Sequence, residues 1–276
     1  MVKVKVKVAK QTKNIQKADV VSDDQGRQYH IALAPGELAE NIILVGATAR
    51  AERAAELLDS VELHQKHREY YTFTGTYNGI PVSIMSTGMG SGATEIAMVE
   101  IFQITKSPTI IRVGSCGSLQ PHIQMGDLVI STGAVRLENA TASYVCDNYP
   151  AIAHYEVIQG LIESAAEQSA PYHIGLTATA SGFYAAQGRK VPHMHIRDPK
   201  LPDELAKMNV LNLEMEASVI LTLATMRGFR AGAVCATYAN RTLNKFIDIK
   251  TKEKAERNAL LTGLGAFARI VQRIPW

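Results

Sequence analysis

Thr109-Ile-Ile-Arg-Val-Gly-Ser-Cys-Gly-Ser118 decides how this chain is read. Its first five residues are β-branched and uncharged except for Arg112, the pattern of a short buried strand. Gly114 and Gly117 then predict a sharp turn that presents backbone N–H groups at the strand's carboxyl end. An arginine inside such a strand is costly to bury unless an anion meets it. Ser115 adds a hydroxyl at the same place. The expected feature is an oxyanion pocket, with phosphate as the best-fitting anion; the competing reading is an ordinary glycine turn after a strand.

Working outward, Asn41 to Gly46 reads as a strand closed by glycine, with Thr48 as the cap of an alanine-rich helix through Leu58. Tyr70 to Tyr77 and Ile80 to Ser86 flank Asn78-Gly79, a strong hairpin signal. Helices are expected over Ala93 to Ile104, Ile152 to Gln168, Ala217 to Arg227 and Lys252 to Arg273. Further strands are expected over Asp127 to Val135, His173 to Ala180, Val210 to Glu214 and Arg230 to Tyr238. Hairpin and crossover signals together predict a mixed, twisted β-sheet flanked by helices in a single α/β domain, residues 29–276. Residues 1–28 are read as a basic arm: Met1 to Val8 alternates lysine and valine with the period of an added edge strand, and the preferred reading is a frayed end.

Composition narrows the function classes. Of 276 residues 46% are hydrophobic, ample for a core, and the net charge of +3 is too small to suggest nucleic acid as a partner. No apolar run is long enough to span a membrane, and no signal-peptide pattern is present. Cys116, Cys146 and Cys235 show neither a CxxC nor a metal-ligand spacing, and their odd number argues against a disulfide framework. A soluble cytoplasmic protein is expected.

Four more clusters lie near predicted strand ends. Val45-Gly-Ala-Thr-Ala-Arg50 is strand, glycine turn and helix start with an arginine, which suits an anion or is a plain helix entry. His67-Arg-Glu69 precedes the hairpin and by itself reads as a solvated charged face. Glu214-Met-Glu216 puts two carboxylates on one side of an extended segment. Neighbouring hydroxyls of a polyol would separate them; alternatively, they decorate a helix N-terminus. Phe183-Tyr-Ala-Ala-Gln-Gly-Arg189 combines an aromatic face, an amide and a fixed cation, which can read the edge of a planar carbonyl-bearing ring; alone, it is a loop with polar residues.

These motifs, with Gln120-Pro-His-Ile123, Gly126-Asp127 and Asn240-Arg-Thr242, resemble in order and spacing the uridine-cleaving members of the nucleoside phosphorylase family, from about Tyr29 to the C-terminal helix. The resemblance implies a three-layer α/β sandwich assembled as a hexamer of three dimers with shared sites. It implies that Gly46, Arg50, Arg112 and Ser115 bind phosphate, with Arg68 arriving from a neighbouring subunit. Glu214, Met215 and Glu216 would hold the ribose, Glu216 on its hydroxyls, and His30 would reach the 5′-hydroxyl of the partner's ribose. Cys116, Gly117, Phe183, Gln187, Arg189 and Arg241 would surround the base, with Gln187 and Arg189 on the uracil edge. The catalytic set is then Arg112, Glu216 and Arg189, and the implied reaction is reversible phosphorolysis of uridine in nucleoside salvage, with deoxyuridine and thymidine open.

Departures from the family are visible. Gly46-Ala-Thr-Ala-Arg50 stands where the family has Gly-Asp-Pro-x-Arg, and Ser115-Cys116 replaces paired threonines. Some relatives hold potassium at the dimer interface through a glutamate like Glu69 and a serine; Ala93 stands at the matching place, so neither this ion nor any other metal or cofactor is expected, phosphate being a co-substrate. Ala236 to Thr242 lacks the aspartate with which purine-cleaving relatives protonate their base, which favours a pyrimidine. The alternatives are a purine phosphorylase or a nucleosidase on the same fold, or a nucleoside-binding protein without catalysis. A dinucleotide site is disfavoured because no GxGxxG follows a strand.

Overall fold

Asn78 and Gly79 both take positive φ, 49° and 75°, and reverse the chain as the sequence predicts. The computed structural model describes residues 18–271, so the Lys-Val repeat at the N-terminus and the last two residues expected in the C-terminal helix lie outside the described residues. Two compact units, divided between Ile110 and Ile111, are each described by themselves.

In the first unit, β1 (Asn41–Val45) leads through Gly46 into α1 (Thr48–Ala55). β2 (Ser60–His67), β3 (Tyr70–Tyr77) and β4 (Ile80–Ser86) follow, then α2 (Ser91–Ile104). The strand order is β1-β4-β3-β2, parallel between β1 and β4 and antiparallel elsewhere. Ile42, Ile43, Leu44, Ile84, Met85, Met98 and Ile101 are all at most 1% exposed. Burying each contributes about 1.5–3 kcal/mol. Two expectations are corrected here. Ala47, extended at φ −102°, is the N-cap and makes no side-chain cap bond, so Thr48 is the first helical residue. The helix also ends at Ala55, before the expected Leu58.

The second unit contains all but the first two residues of β5 (Thr109–Ser118), then β6 (Leu128–Leu137), β7 (Ala151–Ile152), α3 (Tyr155–Glu167) and β8 (Tyr172–Ala180). It continues with α4 (Leu201–Lys207), β9 (Asn212–Glu214), α5 (Ala217–Met226), β10 (Arg230–Asn240), β11 (Lys245–Phe246) and α6 (Ile249–Val271). The order is β11-β10-β6-β8-β9-β5, with β7 on β6, and β10 pairs with β5 as well, so the sheet curls back on itself. β6–β8 and β8–β9 are parallel, while β5–β9 and β6–β10 are antiparallel. α3 packs on α6 and both meet β10; α5 packs on β6, β8 and β10. The mixed α/β class predicted from hairpin and crossover signals is what each unit shows.

Thr109 to Ser118 departs from the expected strand and turn. β5 does not turn at Gly114; it runs extended to Ser118. Neither Gly114 nor Gly117 has positive φ. Both glycines instead leave space. A Cβ on Gly114 would stand 2.7 Å from the Arg112 guanidinium and 2.9 Å from Cys235 Sγ, and one on Gly117 would stand 3.2 Å from Arg241 Cγ. Close approach of side chains, not a bend, is the reason for glycine at these places.

Candidate active site

β5 carries Arg112 into the interior of the second unit, where β9 ends and α5 begins. Arg112 Nε donates to Glu214 Oε2 at 2.7 Å, and a terminal guanidinium nitrogen pairs with Glu216 Oε2 at 2.5 Å. All three side chains are no more than 5% exposed. Burial alone would lower the Arg112 pKa, but Glu216 and Glu214 outweigh it and hold it above the ordinary value. The anion that a buried arginine requires is therefore internal. Two carboxylates more than neutralise one guanidinium, so the cluster carries a net negative charge while both are ionised.

Glu214 and Glu216 have separate jobs. The Glu214 carboxylate also accepts the backbone N–H groups of Glu216 (2.8 Å) and Ala217 (2.9 Å), and the Thr179 hydroxyl (2.5 Å). Thr179 Oγ1 in turn accepts Ser218 N–H at 2.9 Å. Three of these four bonds satisfy the N–H groups of Glu216, Ala217 and Ser218 at the start of α5, where the N-cap Glu216 supplies no side-chain acceptor. Their spacing in sequence puts the two acids on one face, and the family resemblance singles out Glu216 for the ribose hydroxyls. In the fold Glu214 is a fully engaged cap and arginine partner, and Glu216, at φ −140°, is the acid at the mouth of the helix. Met215 lies half-buried between them.

Further along β5, Ser115 is half-buried and Cys116 is buried. Cys116 Sγ lies 3.9 Å from Thr237 Oγ1, and burial first, then the neighbouring Cys235 thiol, pushes its pKa well above the ordinary value. It stays a protonated thiol, consistent with packing rather than nucleophilic chemistry. Gly117 abuts Arg241.

Arg241 and the loop after β8 form a cleft of about 680 Å³. Its wall includes Phe183, Tyr184, Arg189, Lys190, Asp203 and Arg241. The Arg189 guanidinium lies 4.0 Å from the Phe183 ring centroid, and its Nε donates to the Phe183 carbonyl at 2.9 Å. Arg241 donates to the Gln187 carbonyl at 3.1 Å, while the Gln187 side chain belongs to a residue only 3% exposed. Burial, then the charge of Arg189, pushes the Arg241 pKa down to about 10. Burial lowers that of Arg189 too. Phe183, Arg189 and Arg241 are thus brought together, whereas Gln187 is tucked beneath the loop.

The first unit gathers a different group. His30 Nδ1 lies 2.7 Å from Glu100 Oε1, and the His30 and Ile31 N–H groups both donate to the same carboxylate. His67 Nδ1 bonds the His30 carbonyl at 2.7 Å. Arg68 follows at the β2–β3 turn with φ 52°, exposed, its guanidinium 5.2 Å from the Tyr29 ring centroid. Tyr29 meets His30 edge to face. So His30 and Arg68, the two residues implied to serve a neighbouring subunit, share one surface cluster. Glu100 is the member sequence reading missed; only its burial within α2 marks it. In the same unit Gly46 lies at the β1–α1 junction, and Arg50, one turn into α1, is 8% exposed. No group of three or more His, Cys, Asp or Glu side chains able to hold a metal occurs among the described residues.

Sequence and fold relatives define the class. Residues 41–268 match the model of the phosphorylase superfamily, and the chain belongs to that family. Its relatives include the uridine phosphorylase of Thermococcus kodakarensis, 44% identical over 236 residues and covering 84% of each protein. They also include the guanosine phosphorylase of Halorubrum lacusprofundi, 32% identical over 214 residues, 78% of this chain and 84% of that protein. A crystal structure of a Trypanosoma brucei nucleoside phosphorylase, described as showing uridine phosphorylase activity, superposes with a TM-score of 0.85 at 27% identity. It covers 91% of this chain and 99% of that one.

Proposed function

We propose that this protein is a pentosyltransferase that catalyses the reversible phosphorolysis of uridine to uracil and ribose 1-phosphate. The observation that carries the reading is the buried Arg112–Glu216 pair at the start of α5, in a chain 44% identical to a uridine phosphorylase. In the reaction a phosphate oxygen bonds the anomeric carbon as the carbon–nitrogen bond breaks, and the base leaves with the electron pair and takes up a proton. Positive charge grows on the sugar and negative charge on the base. Glu216, anchored by Arg112, orients the ribose hydroxyls, and its charge favours the cationic sugar. Holding sugar and phosphate in register removes much of the entropic barrier.

Because Glu214 and Glu216 overcompensate Arg112, a phosphate dianion needs further cations. Family resemblance supplies them as Arg50, with Gly46 and Ser115 as neutral donors, and as Arg68 of an adjacent subunit. The exposure of Arg68 and its place beside His30 support that sharing. On the base side, Arg189 is aimed to stabilise charge growing on a uracil oxygen. Phe183 backs that guanidinium. Gln187, Cys116, Gly117 and Arg241 complete the base pocket in this reading. We read the active form as a cytoplasmic hexamer built from three dimers and working in nucleoside salvage; the free thiols of Cys116, Cys146 and Cys235 suit a reducing compartment.

A nucleoside panel tests the base assignment. Uridine, deoxyuridine, thymidine, inosine and guanosine are each incubated with phosphate, and the free base is quantified. Uracil should be released fastest; guanine or hypoxanthine in its place would move the assignment toward the purine branch.

A further inference from the structure

We propose that Asp203, on α4, is a positioning residue that keeps Arg241 in place beside Arg189 on the base side of the cleft, without consuming its hydrogen-bond donors. This rests on the reading of Arg189 and Arg241 as base-side groups. Those two cations share one cleft and repel each other. Each is held by a neutral backbone carbonyl, Phe183 for Arg189 and Gln187 for Arg241, which fixes direction but supplies no countercharge. Lys190 adds a third positive charge to the same wall. Among the described residues, Asp203 is the only carboxylate on it.

Asp203 forms no ion pair within 4 Å among the described residues, yet its field reaches Arg241 and favours the charged form there. That combination suits the task. A carboxylate in direct contact would occupy the N–H groups meant for the base, whereas one held farther off offsets repulsion and leaves the donors available. The frame holding it there is closely packed and hydrogen-bonded. Gly188, next to Arg189, sits so close to Pro202 that an added Cβ would lie 2.7 Å from its ring and 3.0 Å from the Asp198 carbonyl. The Gln120 amide donates to the carbonyls of Ala206 and Val210, both at 3.0 Å, and pins the other end of α4. The bland alternative is that Asp203 is only an acid in the first turn of a helix, where Glu204 stands beside it.

The neighbour supplies the control. Asp203→Asn, Asp203→Glu and Glu204→Gln are compared with wild type for uridine phosphorolysis, with KM measured separately for uridine and phosphate. The expected result is a uridine KM raised at least about fivefold in Asp203→Asn, partly recovered in Asp203→Glu, with phosphate KM unchanged and Glu204→Gln like wild type. Equal effects of Asp203→Asn and Glu204→Gln, or none from either, overturn the proposal and leave a helix-terminal acid. A wild type that cleaves no uridine overturns the functional reading itself, and Asp203's role with it.

Discussion

Replacing Glu214 by glutamine separates its structural role from the chemistry of Glu216. The carboxylate receives one charged donor, Arg112 Nε, and three neutral ones, Thr179 Oγ1 and the N–H groups of Glu216 and Ala217. Glutamine keeps the shape and one oxygen, which can serve the three donors now gathered on Oε2. Its amide nitrogen would face Thr179, whose oxygen already accepts Ser218 N–H. The lost charge matters more. Breaking a buried ion pair costs about 3–5 kcal/mol. Glu216 still holds Arg112 at 2.5 Å, so the lower end, about 3 kcal/mol, is expected. At roughly 2–4 °C per kcal/mol for a chain of this size, the apparent Tm should fall by about 6–12 °C. Turnover at 25 °C should fall less than about tenfold, whereas Glu216→Gln should lose about a hundredfold or more. Thermal melts followed by circular dichroism, with steady-state rates on the same preparations, measure both. A Glu214→Gln protein that melts within about 2 °C of wild type, or loses as much activity as Glu216→Gln, refutes the division of labour.

Gly114→Ala should place a methyl 2.7 Å from the Arg112 guanidinium, cost about 1–3 kcal/mol of stability, and raise uridine KM more than phosphate KM, because Arg112 anchors Glu216; denaturation and saturation kinetics would show it. Arg189→Ala should cut kcat/KM for uridine by about a hundredfold while affecting any purine nucleoside less, and an equal loss with every base would count against its edge-reading role. A thiol-specific chromophoric reagent should label Cys146 alone in the native protein and all three cysteines after denaturation, because Cys116 and Cys235 are buried; rapid labelling of Cys116 would contradict its packing role.

Where local pattern and tertiary need agree, the sequence was a good guide. Asn78-Gly79 makes the turn it predicts, and the apolar runs of β1, β4, β6 and β10 are strands because nothing else buries them. Gly114 and Gly117 misled because glycine serves both bending and close approach, and only the neighbours Arg112, Cys235 and Arg241 tell which. β2 was hidden by its alternation of His, Gln, Lys and Glu, ordinary for a strand at the end of its sheet order but giving no apolar run to read, so no element is expected there from sequence. α4 escaped because seven residues amid prolines give no period to read. At the site, sequence reading put Arg112 on phosphate and Glu214 and Glu216 on the ribose, and did not pair the arginine with the two acids as the fold does. It could not foresee that Glu214's acceptors are filled by the start of α5, since those bonds depend on how β8, β9 and α5 meet.

Phosphate dependence tests the central claim most directly. Purified protein is incubated with uridine over a range of inorganic phosphate concentrations, and uracil, ribose and ribose 1-phosphate are quantified together. The account predicts uracil release that rises from zero and saturates with phosphate, matched one for one by ribose 1-phosphate. Equal uracil release in phosphate-free buffer with free ribose as the product would contradict it, and would make the Arg112–Glu216 site that of a hydrolase.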